Sequence, residues 1–183
     1  MNIKGLLFKD VSVNPVIRFL TYADILMLSG WGLVTPILAI FISDHIPGGN
    51  VAVVGLASTL YFLVKSFLQI PIARFIDKHR GEFDDFWVMI LGFSFITFCA
   101  FLYLFINNIW QLYLIQVLYG VGAALAYPAW LAIFTRHIDK HEEGLEWSLY
   151  YTSTDLGAAL TAGLGGFIAS SFGYNWVFLC VGI

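Results

Sequence analysis

The chain has 183 residues, of which 60% are hydrophobic and 11% charged, with a formal net charge of −3. A soluble globular domain carries roughly 25% charged residues, so this composition, with a mean hydropathy of +0.83, excludes that class and implies an all-α polytopic membrane protein. Cys99 and Cys180, the two cysteines, both lie in apolar runs and read as packing residues rather than as a disulfide or metal site.

A hydrocarbon core of about 30 Å needs about 20 apolar residues in a helix, and the chain supplies such runs one after another. Residues 1–16 form a polar tail ending at Asn14-Pro15, a helix cap followed by a first-turn proline. The first span covers about 17–43. It is too long for a signal-peptide core and no cleavage site is evident, so it is expected to stay in the mature chain. Gly48-Gly49-Asn50 introduces a second span at about 51–72, Asp84 or Asp85 a third at about 87–106, and Asn107-Asn108 a fourth at about 110–134. A fifth follows at about 147–170 and a sixth opens near Tyr174. The sequence stops at Ile183, about half of a crossing later. The sixth helix is therefore expected to be truncated, or the chain to be a fragment.

Lysine and arginine give the orientation. All of them except Lys65 fall in the N-terminal tail or at its junction with the first span (Lys4, Lys9, Arg18), in the link at 74–80 (Arg74, Lys78, Arg80) or in the link at 136–140 (Arg136, Lys140). The links at 44–50 and 107–109 have none. Basic residues are retained on the cytoplasmic side, which predicts a cytoplasmic N-terminus in the cytoplasmic membrane. Trp87 and Trp147 then fall at inner ends of spans and Trp110 and Trp176 at outer ends, as headgroup-seeking rings prefer.

Three charges interrupt the apolar runs: Asp24, Lys65 and Asp155. A charge at bilayer depth costs a few kcal/mol unless it is paired or faces water. At ~1.5 Å per residue, all three lie ~10–12 Å from the inner ends of their spans. They are candidates for an ion pair or for a group that binds and releases a proton, with structural pairing and snorkelling of Lys65 as alternatives. Tyr22, Trp31, Tyr61, Gln69, Gln116, Tyr119, Tyr127 and Tyr151 are candidate solute-cavity residues, having hydrogen-bonding tips on largely apolar bodies. Gly120, Gly122, Gly157, Gly163, Gly165 and Gly166 read as helix-packing positions. Pro36-Ile-Leu-Ala-Ile-Phe and Pro128-Ala-Trp-Leu-Ala-Ile-Phe echo one another in spans one and four, as an inverted repeat of three helices plus three would require.

His79, His137 and His141 read as solvated link residues, and the acidic pairs Asp84-Asp85 and Glu142-Glu143 as helix-start or loop carboxylates without calcium-loop spacing. Nothing resembles a phosphate loop or a nucleophile–base set. No enzyme activity, cofactor, metal or nucleic-acid partner is expected.

Four motifs share one resemblance. Ala73-Arg-Phe-Ile-Asp77-Lys78-His-Arg80-Gly81 is similar to the G-x-x-x-D-R-x-G-R-R loop of the major facilitator superfamily, with alanine for the first glycine and the end out of register. Gln116-Val-Leu-Tyr-Gly120-Val-Gly122-Ala-Ala resembles the family's R-x-x-x-G-x-G-A-A helix with Gln116 for arginine. Gly157-Ala-Ala-Leu-Thr161-Ala162-Gly163-Leu-Gly165-Gly166 resembles G-x-x-x-G-P-x-x-G-G with Thr-Ala for Gly-Pro. Phe172-Gly-Tyr174-Asn-Trp176-Val-Phe178 resembles the F-G-W-R-W-x-F opening of the sixth helix. The resemblance, over positions 15–183, implies the N-terminal six-helix half of a secondary transporter that moves a small solute by alternating access, with protons as the candidate coupling ion. It implies a second half from the same gene or from a second copy, and a cytoplasmic latch at Asp77, Lys78 and Arg80 with Arg136 and Asp139 as partners. The departures at Gln116 and Thr161-Ala162 argue against proton-driven drug export. The alternative is a sensor or assembly scaffold of the same fold.

Overall fold

A computed structural model describes residues 13–78 and 81–183. Most of the N-terminal tail, with Lys4 and Lys9, and the link residues His79 and Arg80 lie outside the described residues. The described part is helical throughout, without a strand: α1 Pro15–Val34, α2 Leu38–His45, α3 Val51–Lys78, α4 Glu82–Leu102, α5 Ile109–His137, α6 Glu143–Phe172 and α7 Tyr174–Gly182. Backbone groups in lipid have no water to bond, so each apolar run satisfies its own N–H and C=O groups as a helix. Four stretches are long and apolar enough to cross a membrane: Pro15–Val34, Val51–Lys78, Glu82–Phe105 and Ile109–His137. The last two differ in burial, 33% against 56% of the apolar window, which makes α5 the central helix. Helix α6 has the length to cross, 30 residues, but Ser148, Thr152, Ser153, Thr154 and Asp155 dilute its apolarity.

Local signals start the helices where the sequence suggests. The Asn14 side chain accepts from the Val16 N–H at 2.9 Å, ahead of Pro15. Asn50 accepts from Ala52 and Val53 at 2.9 and 3.1 Å, and Asn108 accepts from Gln111 at 3.0 Å. Helix α4 starts earlier than its acidic pair suggests, at Glu82, so Asp84 and Asp85 lie in its first turn, where carboxylates complement the helix dipole. The expected first span is broken in two. Pro36 has no N–H and its ring crowds the carbonyl four residues back, and a turn at 35–37 separates α1 from α2. Pro71 and Pro128, by contrast, lie inside continuous helices. Gly173, at φ +92°, makes the turn between α6 and α7 in a region that side-chain-bearing residues rarely adopt.

Helix α1 runs along α6, α5 is flanked by α3 and α4, and α7 touches α1, α4 and α6. The first span thus pairs with the fifth and the fourth with the second, the pairing that exchanging helices one to three with four to six generates. Two large core clusters mark the two ends of the bundle, and a third, smaller one of Ile96, Ala123 and Ala126 joins α4 to α5. At the end bearing the 44–50 and 107–109 links, Phe41, Tyr103 and Phe178 pack together, Tyr103 and Phe178 being stacked with centroids 5.0 Å apart. At the end bearing Arg136, Trp130, Phe134 and Tyr150 form the second cluster, with Trp130 and Phe134 stacked at 4.8 Å.

Close helix crossings depend on glycine. A Cβ on Gly165 would collide with the Leu33 backbone of α1, and one on Gly120 would lie 2.9 Å from the Tyr61 carbonyl of α3. Gly92 of α4 and Gly122 of α5 approach each other in the same way. A Cβ on Gly163 or Gly166 would meet nothing within 4 Å. Gly165→Ala is expected to push α6 off α1 at a cost of about 1–3 kcal/mol, read as a lower melting temperature of the full-length protein. An unchanged melt would remove Gly165 from the α1–α6 contact.

Candidate functional site

Between the two cores lies a cavity of about 200 Å³. Five helices wall it: α1 supplies Asp24, α3 Tyr61 and Lys65, α4 Phe93 and Ile96, α5 Tyr119, Tyr127 and Trp130, and α6 Tyr150. Asp24 is buried, with 6% of its surface exposed. The Tyr150 hydroxyl donates to its Oδ2 at 2.8 Å, so a residue 126 positions away supplies its partner. Two positions expected to bear opposite charge therefore meet at one cavity, although no ion pair joins Lys65 to an aspartate among the described residues. Instead the Lys65 ammonium sits 4.9 Å from the centre of the Tyr127 ring and 5.9 Å from that of Tyr61. Cations are attracted to the negative faces of such rings.

Of the other candidates, Tyr61, Tyr119 and Tyr127 share this cavity. Tyr119 stands between Tyr61 and Trp31, with 4.8 Å to each ring centroid. Trp31 itself opens on a separate groove near Pro36 together with Asp155. Asp155 departs from Asp24 and Lys65 because it lies five residues after Tyr150, a rotation of roughly 140° around α6. Tyr22 lines a third groove between α1 and α6, and Tyr151 stacks on Trp147 with centroids 5.8 Å apart. Gln116 is buried towards the other end, where its amide donates to the Tyr103 hydroxyl at 2.8 Å. Gln69, half-buried, lies one turn beyond Lys65 and is not part of the cavity wall.

A charge cluster closes the end bearing Arg136. Arg136 forms an ion pair with Asp85, whose side chain is 2% exposed, and its Nε donates to the Ala132 carbonyl at 2.9 Å. Asp77 lines the same groove as Arg136 without pairing with it. His137 is half-buried rather than solvated, because it ends α5 with Nε2 3.6 Å from a Glu82 oxygen. Asp139 contributes its backbone N–H, which donates to Glu146 Oε2 at 3.1 Å. Lys78 is exposed at the end of α3.

Sequence reasoning missed Tyr150, Trp130, Asp85 and Glu146. The usable signals were faint: Tyr150 belongs to an aromatic group with Trp147 and Tyr151, and Asp85 was visible only as a helix-start carboxylate. Glu146 is 1% exposed, and one of its oxygens has no hydrogen-bond partner. Burial pushes its carboxyl above the ordinary value, opposed by the Asp139 N–H. A raised folded-state value means that the folded protein binds this proton more tightly, so its contribution to stability is present at low pH and is lost as pH rises through that value. Glu146→Gln keeps the acceptor for Asp139 and is expected to flatten that part of the pH–stability curve. Parallel pH profiles of variant and parent would count against it.

Helices that cross a membrane and converge on a partly polar central cavity define an integral membrane protein of transporter architecture. A sequence profile of the Major Facilitator Superfamily matches residues 20–183, and the chain belongs to that family of membrane transporters. It is also similar to the uncharacterized transporter YybO of Bacillus subtilis strain 168, with 26% identity over 128 residues, covering 70% of this chain and 28% of that protein. The matched stretch thus spans less than a third of that relative's length.

Proposed function

We propose that the full-length protein is a secondary active transporter that moves a small solute through the cytoplasmic membrane by alternating access, with proton movement as the driving reaction. These helices form one half of it, rocking against a second six-helix half supplied by the same polypeptide or by a second copy. The observation that carries this reading is the cavity shared by Asp24 and Lys65. Intramembrane ionisable groups are costly, and facing a pathway or binding a proton is what makes them tolerable. Asp24, held by Tyr150, carries the proton in this scheme, and Tyr61, Tyr119 and Tyr127 line the solute's path.

The distribution of Lys and Arg supports a cytoplasmic N-terminus. On that orientation the Arg136–Asp85 pair, with Asp77 beside it, belongs to a cytoplasmic latch that also includes Lys78, Arg80 and Asp139. Exposed apolar side chains on α3 and α6, such as Phe67 and Leu160, are then covered by lipid or by the second half. Members of such a family carry solutes rather than convert them, and no catalytic reaction is assigned.

The test is reconstitution of the full-length protein in vesicles with an internal pH dye and a panel of small acids, amines and neutral solutes. At least one solute is expected to move protons when added outside and to accumulate when a proton gradient is imposed. A panel in which no solute does either overturns the reading.

A further inference from the structure

The cavity has a neighbouring compartment on each side along the seam of α1 and α6, and the two partitions differ in chemistry. Towards the end bearing Arg136 lies the groove of Tyr22, about 350 Å³, with Arg18, Thr21, Glu146 and Ser153 also in its wall. Among the described residues, Tyr150 is the one that lines both this groove and the cavity. It is also the residue bonded to Asp24, its hydroxyl donating to Oδ2 at 2.8 Å. Towards the other end lies the groove beside Pro36, and the one described residue it shares with the cavity is Leu28. A hydroxyl both donates and accepts hydrogen bonds, so it can take a proton on one side and pass one on at the other. A leucine side chain does neither. Water needs room and two or more polar partners, and the groove of Tyr22 supplies both. The ring of Tyr150 is fixed by Trp130 and Phe134, with centroids 5.0 and 5.5 Å away, so its hydroxyl is held at Asp24 from α6. The ionisable groups around this pair are Lys65 and Tyr61 of α3 and Tyr119 and Tyr127 of α5 on the cavity side. On the groove side they are Arg18 and Tyr22 of α1 and Glu146 of α6.

We propose that Tyr150 is the relay through which Asp24 exchanges protons with the end bearing Arg136, while Leu28 closes the opposite side to them. The proposal rests on reading Asp24 as the proton carrier and names the proton's route. A hydronium ion in the groove gives a proton to the Tyr150 oxygen as the Tyr150 proton passes along its existing bond to Asp24 Oδ2. One O–H bond forms and one breaks at the phenol, which stays neutral, and Asp24 goes from carboxylate to carboxylic acid. Release to the same end is the reverse of this step.

Protonation of Asp24 is measured on the full-length protein in lipid nanodiscs, as the infrared band of a protonated carboxyl that Asp24→Asn removes, after a jump from alkaline to acid pH. Tyr150→Phe keeps the ring and deletes the hydroxyl. It is expected to slow the appearance of the band on the order of a hundredfold, the scale of a positioned proton-transfer group, and to leave its final size at acid pH unchanged. Melting of the variant checks its folding. A second variant tests the groove without touching Tyr150: Thr21→Cys, in a background without other reactive cysteines, should react with a membrane-impermeant thiol reagent applied from the end bearing Arg136. An unchanged rate in folded Tyr150→Phe, or an unreactive Thr21→Cys, overturns the relay. A band that Asp24→Asn does not alter overturns it too, together with proton carriage by Asp24. In vesicles, solute-driven proton movement as fast in Tyr150→Phe as in the parent overturns the relay and leaves transport standing. A band whose rate depends on the Tyr150 hydroxyl, without movement of any solute, supports the relay while overturning transport.

Discussion

Asp24→Asn is expected to abolish gradient-driven accumulation while leaving the protein folded and able to exchange solute. Asparagine keeps the size of the side chain and an oxygen for the Tyr150 hydroxyl, which now donates to Asp24 Oδ2 at 2.8 Å. What it removes is the proposed site for a proton. One pH unit corresponds to about 1.4 kcal/mol per proton, so coupling of one proton to one solute supports roughly tenfold accumulation across a gradient of that size. The variant should fall to a ratio of about one, because a free-energy source it cannot bind cannot drive it. Counterflow of labelled against unlabelled solute at equal pH needs no net proton movement and should persist. Asp155→Asn is the control: Asp155 opens on the groove beside Pro36 rather than on the cavity, and its accumulation ratio should match the parent's. Retention of tenfold accumulation in Asp24→Asn would remove Asp24 from the coupling step.

The second large effect is expected at the other charged site. Arg136→Met leaves Asp85, a side chain with 2% exposure, without its cation. Breaking a buried pair on one side costs about 3–5 kcal/mol. Arg136 is 34% exposed, which places the expected loss nearer about 3 kcal/mol, since the partly wet cation is screened. Asp85→Asn combined with Arg136→Met removes both charges together and should recover most of the stability. Chemical or thermal unfolding of the single and double variants makes the comparison. If the double variant is as unstable as Arg136→Met, the cost lies in the packing of the arginine stem and not in the orphaned carboxylate.

Both predictions rest on partnerships that the sequence shows only one side of. Asp24 and Asp155 look equivalent when counted from the ends of their spans, yet one meets Tyr150 within the cavity and the other faces a separate groove. The family resemblance set Arg136 against the loop of Asp77, and it is Asp85, in the first turn of α4 and read from the sequence only as a helix-start carboxylate, that it meets. Gln116 has the composition of a cavity residue but spends its amide on Tyr103. Small rotations of a helix decide such outcomes, and rotation is set by the side chains packed between helices, most of them distant in the chain.

The sequence by itself determined the helices, their caps and the family: runs of apolar residues have nothing but their own backbone to bond in lipid, and Asn14, Asn50 and Asn108 act on N–H groups only two or three residues away. It also marked Asp24 and Lys65, because a charge inside an apolar run stands out at any rotation. Only the tertiary structure decided that Pro36 breaks its helix while Pro71 and Pro128 do not. It alone brought Asp24, Lys65, Trp130 and Tyr150 around one cavity. The physical reason is range: a helix forms from bonds between residues four apart, whereas a cavity is bounded by whichever faces the packing of several helices turns inward.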